Sequence, residues 1–241
     1  MPYAELDEFS MFYSVCGSGE ALLMLHGNGE DGRIFSHQIQ AFSGFFTVYT
    51  LDSRWHGKSE KGGGGVLTYR QMAADVLEFM DRLGIQSAHL LGFSDGGNIA
   101  LMMARLAPER MKSIVLLGAN AAPNGLLARE RLWMRCAYAA FSLCAWLPAC
   151  RRKKHLYGLM LQGPHITREE LAGIGVPSLV VAGEKDVVRP AHTRYIADTL
   201  QNASLCILKG CDHFALIKAP QVLNECVQLF YERAGFMNPA C

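Results

Sequence analysis

Neither sign of charge dominates this sequence. Its 23 lysines and arginines stand against 22 aspartates and glutamates, a formal net charge of +1. A chain without a basic excess or stripe lacks the electrostatic footprint of a nucleic-acid binder, so a small-molecule substrate is the expected partner and nucleic acid is not. Metal-ligand spacing is missing too. Cys16, Cys136, Cys144, Cys150, Cys206, Cys211, Cys226 and Cys241 include no C-x-x-C pair and match no zinc set. With no dinucleotide fingerprint or phosphate loop either, no metal and no organic cofactor are expected. The first residues, Met-Pro-Tyr-Ala-Glu-Leu-Asp-Glu, are acidic where an export signal needs a basic stretch and then an apolar run. The expectation is a cytoplasmic protein with reduced thiols. No apolar run reaches the roughly 20 residues that span a bilayer. Leu132 to Leu147 comes nearest, but it contains Arg135 and meets Pro148. A buried or half-buried helix is expected there, not a membrane span.

What is present is material for a core. Half of the 241 residues are hydrophobic and 19% are charged, which rules out a disordered chain and suits one large α/β domain. No internal repeat is visible, and Gly62–Gly65 reads as a short flexible loop. Ala21–Leu25, Phe46–Leu51, Ala88–Leu91, Ser113–Leu117, Pro177–Ala182 and Leu205–Leu208 are short apolar runs of strand character. Helical spacing fills the intervals. Met72, Val76, Phe79, Met80 and Leu83 share one face, opened by Thr68-x-x-Gln71 and followed by Gly84. A second capping box, Thr167-x-x-Glu170, opens a short helix. Strand and helix in regular alternation predict a mainly parallel sheet covered on both faces, with Phe9–Val15 adding an antiparallel edge hairpin. From Asn120 to about Ile166 the rhythm stops, and roughly 45 aromatic-, Leu- and Cys-rich residues pass without a strand. They predict a helical cap insertion, about 121–166, in one α/β domain spanning 1–241.

Gly92-Phe93-Ser94-Asp95-Gly96 follows the strand His89-Leu90-Leu91 directly and precedes the helix Asn98–Leu106. A serine on so sharp a strand-to-helix turn is held in a strained conformation that lifts its Oγ above the sheet. The turn brings the two backbones so close that only tiny side chains fit two residues either side of it. A serine hydroxyl is a poor nucleophile without a base in hydrogen-bond reach and a third group to orient that base. Further along, one strand ends in Gly183-Glu184-Lys185-Asp186 and the next in Gly210-Cys211-Asp212-His213-Phe214. Both polar groups thus lie past carboxyl ends of strands, the ligand edge of an open α/β sheet. Asp186 ranks above Glu184 as the acid because it stands further out in its loop. Asp212 is too close to His213 to orient that ring. Two backbone N–H groups should meet the charge on a carbonyl oxygen. Asp95 supplies one, and Asn28 in His26-Gly27-Asn28-Gly29 is placed for the other; His26 reads as structural. The Asp95 carboxylate either faces a cationic substrate group or, as favoured, complements its helix dipole. Trp133, Phe141 and Trp146 either line an acyl pocket or pack the cap, and Arg151–His155 reads as a solvated run.

Through these motifs and Asp52-x-Arg54-x-His56-Gly57-x-Ser59, nearly the whole chain resembles the α/β-hydrolase superfamily, in its small esterase-like and C–C-hydrolase-like branch. The resemblance implies the α/β-hydrolase fold: a mostly parallel sheet of the eight-stranded type, helices on both faces, and a small helical cap after the sixth strand. It also implies the roles Ser94, His213 and Asp186 for nucleophile, base and acid. One departure is Trp55, where the family usually carries Gly, which makes Trp55 a candidate for the near wall of the pocket. The expected activity is hydrolysis of a small carboxylic ester or related acyl compound through an acyl-enzyme. The alternatives are cleavage of a carbon–carbon bond beside a ketone and a ligand-binding member without turnover. Haloalkane chemistry is disfavoured because position 94 is Ser rather than Asp.

Overall fold

The computed structural model describes residues 2–59 and 66–237; Gly62–Gly65 and Cys241 lie outside the described residues. The chain opens with the antiparallel pair β1 (Tyr3–Glu5) and β2 (Ser10–Cys16), followed by β3 (Glu20–Leu25), α1 (Ser36–Phe42), β4 (Phe46–Leu51) and α2 (Tyr69–Arg82). Next come β5 (Ala88–Phe93), α3 (Asp95–Leu106) and β6 (Met111–Leu117). Two long helices, α4 (Ala128–Leu143) and α5 (Pro148–Gln162), separate β6 from the final part. That part holds α6 (Arg168–Ala172), β7 (Ser178–Lys185), α7 (Pro190–Thr199), β8 (Ala203–Asp212), α8 (Ala215–Lys218) and α9 (Pro220–Arg233). Among the described residues the strands form one eight-stranded sheet, ordered β1-β2-β4-β3-β5-β6-β7-β8, parallel from β4 to β8 and antiparallel at β1 and β2.

Side-chain alternation along the central strands sorts the core into two layers. Leu23, Leu25, Leu90, Leu116 and Val180 face the layer built with α2, α3, α6 and α7. Their neighbours Leu22, Met24, Leu91, Leu117 and Val181 face the other, with Phe42 of α1 and Leu223, Val227 and Tyr231 of α9. Leu22, Leu23, Leu90 and Leu91 are fully buried, and each such side chain contributes roughly 1.5–3 kcal/mol relative to exposure. No helix among the described residues is long and apolar enough to cross a membrane.

The structure refines several expectations. All six apolar runs are strands, but β8 extends over Ala203–Asp212, well beyond Leu205–Leu208, and Leu205 is exposed. As a sheet edge it needs no continuous apolar run to keep pairing with β7. The Thr167–Glu170 capping box is complete, whereas only half of the Thr68 box forms. The Gln71 side chain donates to Asp75 instead of reaching back. Of the buried or half-buried helix expected over Leu132–Leu147, the structure keeps a shorter and mostly unburied one. Helix α4 stops at Leu143, and of its side chains only Met134 is buried. The reason is tertiary: α4 packs chiefly on α5, outside the two core layers, so its far side has nothing to bury against.

Candidate active site

Ser94 links β5 to α3 with φ +53° and ψ −116°. The backbone is held there by Ser94 N–H donating to Leu117 O (2.7 Å) and by Gly97 and Asn98 N–H donating to Ser94 O (2.9 and 3.1 Å). The glycine requirement follows from the same crossing. A Cβ on Gly96 would collide with Leu25 O, and one on Gly92 with Gly96 O. The non-glycine strain of about 1–3 kcal/mol at Ser94 is sustained by this over-determined surrounding.

Three side chains from three loops meet at this corner. His213 Nε2 lies 3.1 Å from Ser94 Oγ. On the other side of the ring, Nδ1 lies 2.7 Å from Asp186 Oδ1. Asp186 is nearly sealed from solvent and also accepts from Val188 N–H (3.0 Å) and Gly183 N–H (3.3 Å). Rivals for these places are occupied elsewhere. Glu184 accepts from Gly210 N–H, and Asp212 accepts from Phe214 N–H and pairs with Lys218. His26 accepts Ser53 N–H at Nε2 (3.0 Å) and therefore donates from Nδ1 to Gly27 O (2.7 Å), a buried strut between two loops. Burial dominates its environment and pushes its pKa down. His56 is likewise buried, and desolvation takes it down to about 3.

Gly118 is a residue that sequence reasoning missed. It sits at φ +62° just after β6, and a Cβ there would lie 2.7 Å from His213 Cε1. Position 118 therefore has to be bare for the imidazole to lie where it does. A single glycine after a strand carries no signal of this; only the folded loop shows which ring it faces.

A cavity of about 500 Å³ opens at Ser94. Gly27, Asn28 and Gly29 line one side, and Trp133, Met134, Lys153, Leu156, Tyr157 and Met160 of α4 and α5 line another. Of the four aromatic pocket candidates only Trp133 reaches it. Trp55 stands at φ +69° and packs its ring on His155 (4.8 Å), while its carbonyl accepts from Arg152 Nε (2.7 Å). Phe141 stacks on Tyr157 (5.7 Å), and Trp146 is 75% exposed. As pocket residues Trp55 and Trp146 are corrected, and Phe141 takes the packing alternative: tertiary placement turns Trp55 and Phe141 onto α5 and leaves Trp146 in solvent at the hairpin bend. The Asp52 motif lies outside the cavity lining and holds the turn after β4. Asp52 accepts from Gly32 and Lys58 N–H, and Arg54 pairs with Asp75 and Glu8.

Two acids in the cavity wall are held away from ordinary titration. Asp95 is buried and accepts from Asn28 Nδ2 (2.8 Å) and Tyr69 OH (2.7 Å). Burial raises its pKa against those bonds. Its carboxylate thus knits the Asn28 loop, α2 and α3 together. Glu30 was not singled out in the sequence. Desolvation raises its carboxyl to about 7, and its Oε2 is buried without a partner.

Comparison with known proteins agrees with the fold that carries this site. A family model described as the α/β hydrolase fold matches residues 20–135. A putative carbamate hydrolase, RutD, of Azorhizobium caulinodans is 25% identical over 255 residues, covering 93% of this chain and 96% of that protein. RutD of a Caulobacter species is 27% identical over 241 residues, with 88% and 90% covered. Among solved structures, a hydrolase from Pseudomonas aeruginosa is 25% identical with a TM-score of 0.79, covering 95% of this chain and 97% of that one. The enol-lactonase of Burkholderia xenovorans has the same TM-score at 24% identity, with 95% and 99% covered.

Proposed function

This chain belongs to the α/β-hydrolase superfamily and is a hydrolase of that fold, and from this premise we propose that it is a serine hydrolase of small carboxylic esters or related acyl compounds. The observation that carries the proposal is the continuous line from Asp186 Oδ1 through the His213 ring to Ser94 Oγ, at 2.7 and 3.1 Å. With its carboxylate accepting from Nδ1–H, Asp186 holds His213 in the tautomer whose bare Nε2 faces the serine hydroxyl. His213 then takes the Ser94 proton as Oγ attacks the acyl carbon, and returns it to the departing oxygen or nitrogen. Water, deprotonated by the same imidazole, frees the acid and restores Ser94.

The backbone N–H groups of Asn28 and Asp95 meet the oxyanion. Asp95 is the first residue of α3, so its N–H has no intrahelical acceptor and points out of a positive helix end. The Asn28 side chain, bonded to Asp95 Oδ2 and to Leu156 O (3.1 Å), fixes the loop that presents the second donor. The α4–α5 hairpin, inside the 121–166 span, serves as the cap of a single domain, and its Trp133, Met134, Leu156 and Met160 receive an apolar acyl portion. The relative RutD is described as a putative carbamate hydrolase, and carbamate hydrolysis is an acyl–heteroatom cleavage, which supports this bond class.

A fluorophosphonate tests the reading, because only an activated serine reacts rapidly with it. Labelling should map to the peptide carrying Ser94 and vanish in His213→Ala, alongside turnover of p-nitrophenyl acyl esters. Labelling at another residue, or none in folded protein, overturns it.

A further inference from the structure

The hairpin next to the cavity has a surface at odds with its charge and its position. On α4, Leu132, Cys136, Ala139, Ala140 and Leu143 recur at helical spacing and are all exposed. Leu132 is 63% and Leu143 78% exposed, and at the bend Trp146 is 75% and Leu147 48% exposed. A surface helix ordinarily turns its polar stripe outward, and an apolar face of this kind marks an interaction site.

Charge says what fits it. Of the chain's 23 basic and 22 acidic residues, seven and one fall between Ala128 and Gln162, leaving 16 and 21 elsewhere. A nearly neutral chain is thus split into a hairpin of +6 and a remainder of −5. Of those seven cations, only Arg129 has a carboxylate partner among the described residues, the single acid Glu130. A second copy docking by the same face would press +6 against +6, which opposes self-association.

We propose that the α4–α5 hairpin docks on an anionic phospholipid surface, with Leu143, Trp146 and Leu147 entering the acyl boundary and the exposed Arg135, Arg151 and Lys153 meeting headgroup phosphates. Exposed Trp and Leu beside Lys and Arg on a helix too short to span are the composition of an interfacial segment. Bilayers of anionic lipid attract basic residues near their surface. Trp133 is 58% exposed and also lines the cavity, so the docked face adjoins the opening through which an apolar acyl substrate would arrive from the membrane.

The test is binding of the full chain to phosphatidylcholine vesicles with and without phosphatidylglycerol, by co-sedimentation and tryptophan emission. It does not depend on Ser94, so its failure is separate from failure of the hydrolase reading. Binding should be about tenfold or more tighter to the anionic vesicles and weaken with salt. The double variants Leu143→Ser/Trp146→Ser and Arg135→Gln/Arg151→Gln should each lower it about tenfold. All four side chains are exposed, so thermal midpoints should hold and show that the variants fold. Equal or absent binding to the two vesicle types overturns the proposal. So does binding unchanged in both variants, or a wild-type dimer that Leu143→Ser/Trp146→Ser dissolves.

Discussion

The sheet and the α4–α5 hairpin contain similarly apolar sequence and treat it in opposite ways. Leu90 and Leu91 on β5 vanish into two different core layers, whereas Leu132 and Leu143 on α4 stand in solvent. A β-strand in the middle of a sheet has a partner layer on each face, so every apolar side chain finds cover. A helix in a two-helix excursion has cover along one stripe only. Hydrophobicity predicts burial where the fold supplies two faces and marks a contact surface where it supplies one.

The strongest challenge to this contrast is functional. Replacing Ser94 with Ala in the body should remove about 10⁴-fold or more of kcat toward p-nitrophenyl esters. Trp146→Ala in the hairpin should leave kcat on soluble short-chain esters within about twofold, since the ring lies outside the cavity lining. Comparable losses in the two would erase the distinction. Stability should separate the regions next. Leu91→Ala should cost about 2–5 kcal/mol by denaturant titration, and Leu143→Ala within about 0.5 kcal/mol. A large loss at Leu143 would mean that the hairpin surface is buried in solution.

Gly118→Ala should cut kcat about 100-fold with a smaller loss of stability, because the added methyl displaces the His213 ring. Near-native turnover would show that the ring position is not needed. A smaller effect attaches to Glu30, whose carboxyl is raised to about 7 in the folded chain. Between its unfolded value and about 7 the folded state holds a proton that the unfolded chain releases, so this group lowers stability as pH rises through that window. Glu30→Gln should therefore raise Tm at pH 8 by roughly 2–4 °C more than at pH 5, as about 1 kcal/mol does in a chain of this size. A pH-independent difference would contradict the burial argument. Least of all, Trp55→Gly should change stability by under about 1 kcal/mol. Relief of the positive φ opposes loss of the ring contact with His155.

The parts legible from sequence are those set by local chemistry. Gly92-Phe93-Ser94-Asp95-Gly96 reads as a turn because the crossing backbones at Gly92 and Gly96 leave no room for a Cβ, and the structure has that crossing. Asp186 is distinguishable from Glu184 by its place in the loop, and it is the acid that meets His213. The Asp95 carboxylate was less legible. Its bonds to Asn28 and Tyr69 join residues 67 and 26 positions away, a distance over which sequence spacing carries no information. Trp133, Phe141 and Trp146 looked alike for the same reason, and only the packing of α4 on α5 sent one to the cavity, one onto Tyr157 and one into solvent.

By itself, then, the sequence determined the alternation of strand and helix, the strained serine turn, and the loops that carry Asp186 and His213. Each of these rests on periodicity, turn sterics or order along the chain, which are properties of neighbouring residues. Tertiary structure alone decided which glycine must stay bare beneath the imidazole, which acid has its pKa raised by burial, and which apolar face is left uncovered. Those outcomes depend on what surrounds a group in space, and burial, dielectric and available volume are set only when distant segments meet.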